Sequence, residues 1–265
     1  MQNEWLKRYT NNIFLVLAAL IFFTGTVSGQ TIDSQDPELK VIQLSPDAGP
    51  ANVLVDGEQI GSGLGFGELA ATKLDPGSHQ ITITSDNIDI SRTVNLSQNQ
   101  YYTLTVNNRV VNPGTTLLSQ NTTVSEGQTK LRLAHFSPDL LGVDATTDGS
   151  SSFSATGLNY RETTDYVEIS PGNYTIEVTE PRIGGASFNQ QISLEANKTY
   201  TGFVSGLKAG PSDQRLRIIP VAGRIETEVE EDQEQPETEP EPEEYDGVIR
   251  KDLSLVCRFE EIESD

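Results

Sequence analysis

The chain contains very few of the residues that usually catalyse a reaction or cross-link a fold. Its 265 residues include one cysteine, two histidines and one tryptophan. A single thiol cannot close a loop, so hydrophobic cores rather than disulfides must hold the fold together. Cys257 would need a base and an orienting partner to act as a nucleophile, and neither histidine is near it in sequence. We therefore interpret Cys257 as an incidental thiol.

Positive charge is also scarce. Eighteen Lys and Arg residues stand against 39 Asp and Glu residues, and the net charge is −21. Residues 226–246 carry twelve acids and no Lys or Arg, whereas residues 30–225 carry 21 acids and 13 bases, a net charge of −8. Such a field repels phosphates, and no basic cluster with interleaved aromatic residues opposes it. The charge distribution argues against binding to DNA or RNA.

Long hydrophobic runs are missing. The eleven apolar residues at 13–23 are too few to span the roughly 30 Å of membrane hydrocarbon comfortably. Lys7 and Arg8 precede this run and the small residues Val-Ser-Gly follow it, which is the pattern of a signal peptide. We predict a signal peptide over residues 1–29 and a product that is secreted or located at the cell surface or in the periplasm. An uncleaved N-terminal anchor is the alternative.

The dominant positive feature of the sequence is an internal repeat. The stretch LSPDAGPANVLVDG is followed later by LAHFSPDLLGVDATTDG. In both, Ser-Pro-Asp precedes an Asp-Gly, and the spacing from Pro46 to Asp56 equals that from Pro138 to Asp148. Repeated landmarks at a fixed separation indicate two copies of one structural unit.

The correspondence extends along each copy. LGFGELAATKLDPGSHQITIT matches LNYRETTDYVEISPGNYTIEVT, and VNLSQNQYYTLTV matches ISLEANKTYTGFV. We place the copies at 38–118 and 129–222, joined by a polar linker at 119–128. Residues 223–247 are rich in Glu and Pro and have little to form a core, so we predict that they are disordered. Residues 248–265 recover some apolar content, but the sequence gives them no role.

The local pattern is that of strands. In NYTIEVTE, apolar side chains alternate with polar ones, and QITITS repeats the alternation. About seven short strands per copy, separated by Pro-Gly and Asp-Gly turns, predict an all-β protein of two tandem, small antiparallel β-sandwich (immunoglobulin-like) domains. A barrel is the alternative. The residues that we expect to point inward are Ile81, Ile83, Ile176 and Val178.

These motifs resemble a known family. Ser-Pro-Asp, Val-Asp-Gly and Pro-Gly-x-Tyr-x-Ile-x-Val together are similar to the family called domain of unknown function 4397, over nearly all of residues 39–221. The resemblance implies exported or surface-associated β-rich modules of prokaryotes, often in tandem or beside adhesion-type domains. It brings no catalytic residues with it. Family members commonly have a histidine before Ser-Pro-Asp, which is present as His135 in the second copy but replaced by Gln43 in the first.

The Ser-Pro-Asp and Asp-Gly motifs could in principle hold a cation. Ca²⁺ prefers several carboxylate and carbonyl oxygens, and the repeat supplies Asp47 with Asp56 and Asp139 with Asp148. The same residues are also strong turn formers, and the dense D-x-D-x-D-G pattern of a calcium loop is absent. We therefore favour turn formation.

The two histidines do not form a repeated metal site. His135 aligns with Gln43 and His79 aligns with Tyr174, so neither ligand is duplicated. We expect His135 to be a residue at the end of a strand that forms hydrogen bonds with the adjacent turn, at Ser137 or Asp139.

Acidic residues are the remaining catalytic candidates. Glu162, Asp165 and Glu168 cluster in the second copy, and Glu68 is the nearest counterpart in the first. A glycosidase needs two carboxylates that flank a cleft, and a module of about ninety residues rarely encloses one. The alternative of a carbohydrate-active hydrolase would use Glu162 with Asp165 or Glu168. The glycine-rich run at 61–67 precedes no helical pattern, so we expect a flexible surface loop there rather than a phosphate-binding loop.

We therefore predict no enzyme activity and no catalytic, cofactor-binding or metal-ligating residue. The most consistent function is an exported, non-catalytic module of the cell envelope or extracellular matrix, used for adhesion or spacing, with a protein or polysaccharide partner. A duplicated module supports it, because two linked copies raise avidity. The second alternative is a module that binds extracellular polysaccharide by stacking sugar rings on exposed tyrosines: Tyr101, Tyr160 or Tyr166.

Overall fold

The computed structural model of the chain covers the repeated body. The described residues are 35–121, 123–148, 153–182 and 184–223. The predictions for the signal peptide, the acidic segment after Gly223, the C-terminal segment and Cys257 fall outside these residues. Within the described part of the chain, no helix is long and apolar enough to cross a membrane.

The described part of the body is all-β, as the alternation predicted, with eight strands in each copy where we expected about seven. Module 1 contains β1 (Glu38–Gln43), β2 (Ala51–Val55), β3 (Glu58–Leu64), β4 (Leu69–Lys73), β5 (Gly77–Thr84), β6 (Asp89–Leu96), β7 (Tyr101–Asn107) and β8 (Gly114–Ser119). Module 2 contains β9 (Thr129–His135), β10 (Gly142–Thr147), β11 (Ser154–Asn159), β12 (Val167–Ile169), β13 (Gly172–Thr179), β14 (Ser187–Leu194), β15 (Lys198–Ser205) and β16 (Arg217–Ala222).

Each module is a sandwich of two four-stranded sheets, and the two modules repeat the same topology. The sheets of module 1 have the orders β4-β1-β7-β8 and β3-β2-β5-β6, and those of module 2 have the orders β12-β9-β15-β16 and β11-β10-β13-β14. We call β4-β1-β7-β8 and β12-β9-β15-β16 the inner sheets. The strand pairs are antiparallel except that β1 pairs with β7, and β9 with β15, in parallel.

The core of each sandwich forms from the alternating strands. Ile81, Ile83, Ile176 and Val178 are all buried, so the predicted inward face is correct. In an antiparallel sheet one face covers the core and the other faces away, which is why every second residue is apolar. Burial of these branched side chains between two sheets is the main stabilising contribution to each module.

The glycine-rich run was predicted wrongly as a flexible surface loop. Its first four residues belong to β3, and its remainder turns the chain towards β4 in the other sheet. A Cβ atom on Gly61 would lie 2.8 Å from the Cβ of Ala70, so only glycine allows this close approach. Gly63 and Gly67 have positive φ values, 63° and 89°, which glycine adopts without strain. The glycines therefore build a corner of the sandwich.

The two modules pack against each other through their inner sheets. The buried apolar cluster between them comprises Ile42, Leu44, Ala134, Phe136, Phe203 and Val221, with Leu118 and Ile219 packed against it. Both faces of β7, β9 and β15 are therefore covered, and nearly every residue of these strands is buried. The repeated body is a pair of sandwiches joined face to face.

Candidate functional site

The residue two positions before Ser-Pro-Asp forms similar hydrogen bonds in both modules although its identity differs. Gln43 accepts a hydrogen bond from the amide of Ser45 (2.6 Å) and donates one to a carbonyl farther along the loop (3.2 Å). His135 accepts from the amide of Ser137 through Nδ1 (3.3 Å) and donates from Nε2 to a loop carbonyl (3.3 Å). Burial lowers the pKa of His135, which suits this neutral tautomer. His135 thus holds the turn, as expected.

The aspartate of each Ser-Pro-Asp motif accepts a hydrogen bond from a neighbouring loop of its own module. Asp47 accepts a hydrogen bond from the amide of Val110 (3.0 Å), and Asp139 accepts one from the amide of Lys208 (3.3 Å). Val110 and Lys208 lie in the β7–β8 and β15–β16 loops, respectively. The motif therefore ties two loops together at one end of each sandwich.

The aspartate of each Asp-Gly motif acts at the opposite end. Asp56 accepts from the amide of Gln80 (2.8 Å), and Asp148 accepts from the amide of Thr175 (2.6 Å). Two carboxylates that serve opposite ends of a module do not share a cation, so the pairing considered for Ca²⁺ is not formed. No group of three or more His, Cys, Asp or Glu in the described residues is arranged to hold a metal.

The candidate catalytic carboxylates are part of turns. Glu162 accepts hydrogen bonds from the amide (2.9 Å) and side chain (3.0 Å) of Asn159, and Glu68 accepts from the amide of Gly65 (2.8 Å). Both modules therefore use this glutamate to cap the turn after β3 or β11. Asp165 is exposed, and Glu168 accepts from the amide of a linker residue (3.3 Å). The structure brings none of these acids together around an enclosed cleft.

The tyrosines considered for sugar stacking are not exposed platforms, which corrects that expectation. Tyr101 is only 3% exposed. Tyr160 donates its hydroxyl hydrogen bond to the side chain of Asn107 in the other module (3.3 Å). The ring of Tyr166 lies under the guanidinium of Arg132, 4.5 Å from the ring centroid. Tyr101 is thus buried, Tyr160 takes part in the contact between the modules, and Tyr166 is covered by Arg132.

The Ser-Pro-Asp loops of both modules lie at the same end of the body. Ser205, at the end of β15, donates a hydrogen bond to the carbonyl of Leu44 in module 1 (3.2 Å). Arg109, in the β7–β8 loop, binds the carboxylate of Asp139 in module 2 (2.6 Å). We call this end, formed by the β1–β2, β5–β6 and β7–β8 loops and their counterparts in module 2, the loop end. Cross-module bonds make it one surface.

A buried carboxylate holds the loop end of module 2 together. Glu180 accepts hydrogen bonds from the amides of Leu141 (3.2 Å) and Ala186 (3.4 Å), and it pairs with Arg182 (2.6 Å) and with the ammonium of Lys208. Burial alone would raise the pKa of Glu180, but these bonds outweigh it and lower the pKa to about 2. One ionised side chain therefore joins three loops.

The most exposed large apolar side chains of the described body lie on the loop end. Val111, at the tip of the β7–β8 loop, is 87% exposed, and Leu141, after the second Ser-Pro-Asp, is 72% exposed. Each belongs to a different module. Single exposed apolar residues are common on protein surfaces, but two on one rigid, loop-built end suit a contact surface.

The chain enters and leaves the body at the end opposite the loop end. The carbonyl of Gln35 accepts from the amide of Asn99, in the β6–β7 turn (2.8 Å). The amide of Gly223 donates to the carbonyl of Thr199, at the start of β15 (2.7 Å). Neither attachment point of the flanking segments is therefore next to the Ser-Pro-Asp loops.

The sequence matches the family described as domain of unknown function (DUF4397) over residues 37–146 and 135–225. The chain belongs to the DUF4397 family. The two matched segments overlap at residues 135–146 and are consistent with tandem copies of the domain, so the tandem arrangement predicted from the repeat is confirmed. A comparison with curated proteins finds no match.

Solved structures offer only distant similarity. The tip fimbrial protein Mfa3 from Porphyromonas gingivalis, with a C-terminal truncation, is 11% identical, with 71% of this chain and 99% of that chain covered and a TM-score of 0.25. A leucine-rich repeat protein from Bacteroides thetaiotaomicron is 13% identical, with 63% of this chain and 26% of that chain covered and a TM-score of 0.18. Similarity at this level says nothing about function.

The first DUF4397 module contains a charged pair at the end opposite the loop end. His79 places Nδ1 2.7 Å from a carboxylate oxygen of Asp56 and Nε2 2.8 Å from the carbonyl oxygen of Asp75. Both partners are acceptors, so the ring carries a proton on each nitrogen. In the second DUF4397 module, Tyr174 donates to the carbonyl of Ser170 (2.6 Å) in the corresponding position. Histidine and tyrosine thus brace equivalent turns.

This pair predicts a pH dependence of stability. Burial would lower the pKa of His79, but the hydrogen bonds with Asp56 and the Asp75 carbonyl and the two negative charges outweigh it, and the pKa is raised. The stabilisation from charged His79 is present below the unfolded value near 6.5 and is lost as the pH rises through the higher folded value. We expect the free energy of unfolding of the wild type to fall relative to that of His79→Tyr as the pH rises.

Urea unfolding of both proteins at a series of pH values from about 5 to 9 measures that difference directly. Other titrating groups are common to both proteins and cancel. A difference that stays constant over this range would show that His79 does not carry the charge.

Proposed function

We propose that the chain is an exported, non-catalytic surface protein that contacts its partner through the loop end. The observation that carries this proposal is that the two ends of the body differ. The Ser-Pro-Asp loops of both modules meet at one end, while the chain enters and leaves at the other. A body that is attached through its flanking segments can therefore present the loop end outward. Loops held on a rigid scaffold are the usual contact surfaces of sandwich proteins.

The rigidity of the loop end favours a role in binding. Asp47, Asp139 and Glu180 use their carboxylates to hold loop amides and basic side chains. Loops that are already ordered lose little conformational freedom when a partner binds, and affinity improves accordingly. Of the acids that a hydrolase would use, Glu162 and Glu168 accept hydrogen bonds from a turn and from the linker instead of facing an enclosed cleft, which is the reason that we prefer a non-catalytic role.

The chemistry of the loop end favours a protein partner over a polysaccharide. Val111 and Leu141 are exposed there, and the loop end also carries Arg109, Arg182 and Lys208. Apolar side chains with arginines beside them are typical of the centre of protein contacts. The polysaccharide-binding alternative relied on sugar stacking by exposed tyrosines, and Tyr101, Tyr160 and Tyr166 are occupied.

The packing of the two modules against each other changes how the duplication contributes to binding. Two independently linked copies would raise avidity by binding twice. Here the inner sheets are packed together, and Arg109 of module 1 binds Asp139 of module 2 at the loop end. The two modules therefore supply one composite surface rather than two separate ones.

The experiment measures binding of the labelled, purified body to cells of the source organism that lack the gene. We expect the double variant Val111→Asp/Leu141→Asp to bind at least about tenfold more weakly, because it loses two apolar contacts and adds charge at the contact. Val167→Asp is the matched control, since Val167 is also exposed but lies on β12, away from the loop end. Melting temperatures verify that all variants fold.

The outcomes separate the candidate functions. Unchanged binding by the double variant would contradict the loop end as the contact surface. Retention on a glycan array by the wild type would favour the polysaccharide-binding alternative. Hydrolysis of a polysaccharide that Glu162→Gln abolishes would replace the proposal with the hydrolase.

A further inference from the structure

Contacts between the modules occur in pairs that are related by exchange of the two copies. Lys40 on β1 donates to the carbonyl of Ala222 at the end of β16 (2.7 Å). Arg132, the corresponding residue on β9, donates to the carbonyl of Ser119 at the end of β8 (2.8 Å). Each module therefore offers the same face to the other, in the manner of a dimer with an approximate two-fold axis.

The two faces differ in the size of corresponding apolar side chains. Module 2 has Phe136 where module 1 has Leu44, and Phe203 where module 1 has Thr105. The two phenylalanine rings lie 5.8 Å apart and are fully buried in the cluster between the modules. Two faces of the module 2 type would have to fit four such rings into the space that now accepts two.

The first arginine of module 2 opposes a glycine of module 1. Arg161 donates to the side-chain oxygen of Asn107 through Nη2 (2.8 Å) and Nε (3.1 Å). A Cβ atom at Gly114 would overlap with Nη2 of Arg161. Arg161 also has a φ of 69°, whereas glycine is present at the corresponding position of module 1, Gly67. The strain of this backbone conformation is offset in part by the two hydrogen bonds that the long side chain makes to Asn107.

The second arginine repeats the arrangement in the opposite sense. Arg217 lies over the ring of Phe66, 4.4 Å from its centroid, and donates to the carbonyl of that residue (3.0 Å). Its Nη2 atom is 3.7 Å from the position of a Cβ atom on Gly67. Arg217 corresponds to Gly114, since each begins the strand that pairs with the end of β15 or β7. Arg161 thus faces Gly114, which is the counterpart of Arg217. Arg217 faces Gly67, which is the counterpart of Arg161.

We propose that the two inner faces are a complementary recognition pair, in which the glycine face of module 1 accepts the arginine face of module 2 and each face rejects its own kind. Two arginine faces would bring like charges together in a partly buried contact, which is unfavourable. Two glycine faces would leave both Asn107 side chains without their guanidinium donors. The partner of module 1 is therefore a module 2, in the same chain or in a second copy. This inference does not depend on the proposed function.

The first test opens the linker in the folded chain. A protease site inserted after Thr123 allows the two modules to be separated covalently after they have folded together. We expect native mass spectrometry to find the halves still associated one to one. When cleaved protein is mixed with isotope-labelled cleaved protein, exchange should give new pairs of module 1 with module 2 only. Halves that separate, or pairs of like modules, would overturn the proposal.

The second test exchanges the arginine and the glycine. We expect Gly114→Arg to weaken the association of the cleaved halves at least about tenfold, because a second guanidinium displaces Arg161 from Asn107. The double variant Gly114→Arg/Arg161→Gly should recover most of this loss, since the arginine at position 114 then faces a glycine, as Arg217 faces Gly67. Recovery is a result that general damage to the fold cannot give.

Gly142→Arg is the matched control. Gly142 lies on β10 in the sheet away from the contact, and the atom nearest to a Cβ there is 3.7 Å away. We expect it to leave the association unchanged. Association of Gly114→Arg as tight as that of the wild type, or a double variant no tighter than Gly114→Arg, would overturn the proposal.

Discussion

Replacement of Ile176 by aspartate is expected to lower the free energy of unfolding by roughly 4 kcal/mol or more, enough to unfold module 2 or to populate its unfolded state. Ile176 is fully buried at the centre of β13, between the two sheets of module 2. A carboxylate there would have no basic partner within the apolar core, and its desolvation is costly. Chemical unfolding followed by circular dichroism measures the change.

The control places the same charge on the other face of the same strand. Asn173 is exposed on β13, so Asn173→Asp should change the free energy of unfolding by less than about 0.5 kcal/mol. Ile176→Val, which removes one methyl group, should cost about 1 kcal/mol. If Ile176→Asp were as stable as Asn173→Asp, the assignment of this face to the core would be wrong.

Replacement of Glu180 by glutamine is expected to cost about 2 kcal/mol at neutral pH, because hydrogen bonds to a charged group are among the stronger ones. The change removes the negative charge that joins Lys208, Arg182 and two loop amides. The folded pKa, about 2, lies below the ordinary value of 4.5. The stabilisation is therefore complete above that ordinary value and is lost as the pH falls through the folded pKa.

The acid titration separates this effect from simple loss of packing. The difference in free energy of unfolding between the wild type and Glu180→Gln should shrink towards zero as the pH falls from about 5 to 2. Glu177→Gln is the control, since Glu177 is exposed on β13, and we expect only a small loss of stability at neutral pH. A difference for Glu180→Gln that persists at low pH would show that shape rather than charge stabilises the loop end.

Both variants also bear on the proposed contact surface. Ile176→Asp disrupts the whole of module 2, whereas Glu180→Gln loosens only the loops around Leu141 and Lys208. If binding depends on a rigid loop end, Glu180→Gln should bind more weakly even at temperatures at which it remains folded.

Much of each module could be predicted from the sequence because the deciding interactions are local. A strand that covers a core on one face shows its alternation directly, so the inward direction of Ile81 and Ile176 was predictable. Turn residues likewise carry their own conformational preferences: Ser-Pro-Asp forms a turn in both modules, and Asp56 and Gly57 form one in module 1.

The equivalence of unlike residues could not be predicted. Two aligned pairs combine residues of unlike chemistry, namely Gln43 with His135 and His79 with Tyr174. Each pair nevertheless shares one hydrogen bond to an equivalent backbone group, the amide of Ser45 or Ser137 for the first pair and the carbonyl of Asp75 or Ser170 for the second. The backbone geometry of the turn selects for the position of a donor or an acceptor, and several side chains can place one there.

The sequence alone determined two tandem sandwiches, their strand faces and their turns, because periodicity and turn chemistry act within short segments. Only the tertiary structure decided that the modules pair through their inner sheets. The outward residues of those sheets include Thr103, Arg132 and Thr201, which suit water as well as a hydrogen-bonded contact. The alternation of apolar and polar residues shows which face of a strand points away from the core, but it does not show what covers that face. That depends on residues distant in sequence, such as a glycine in one module opposite an arginine in the other.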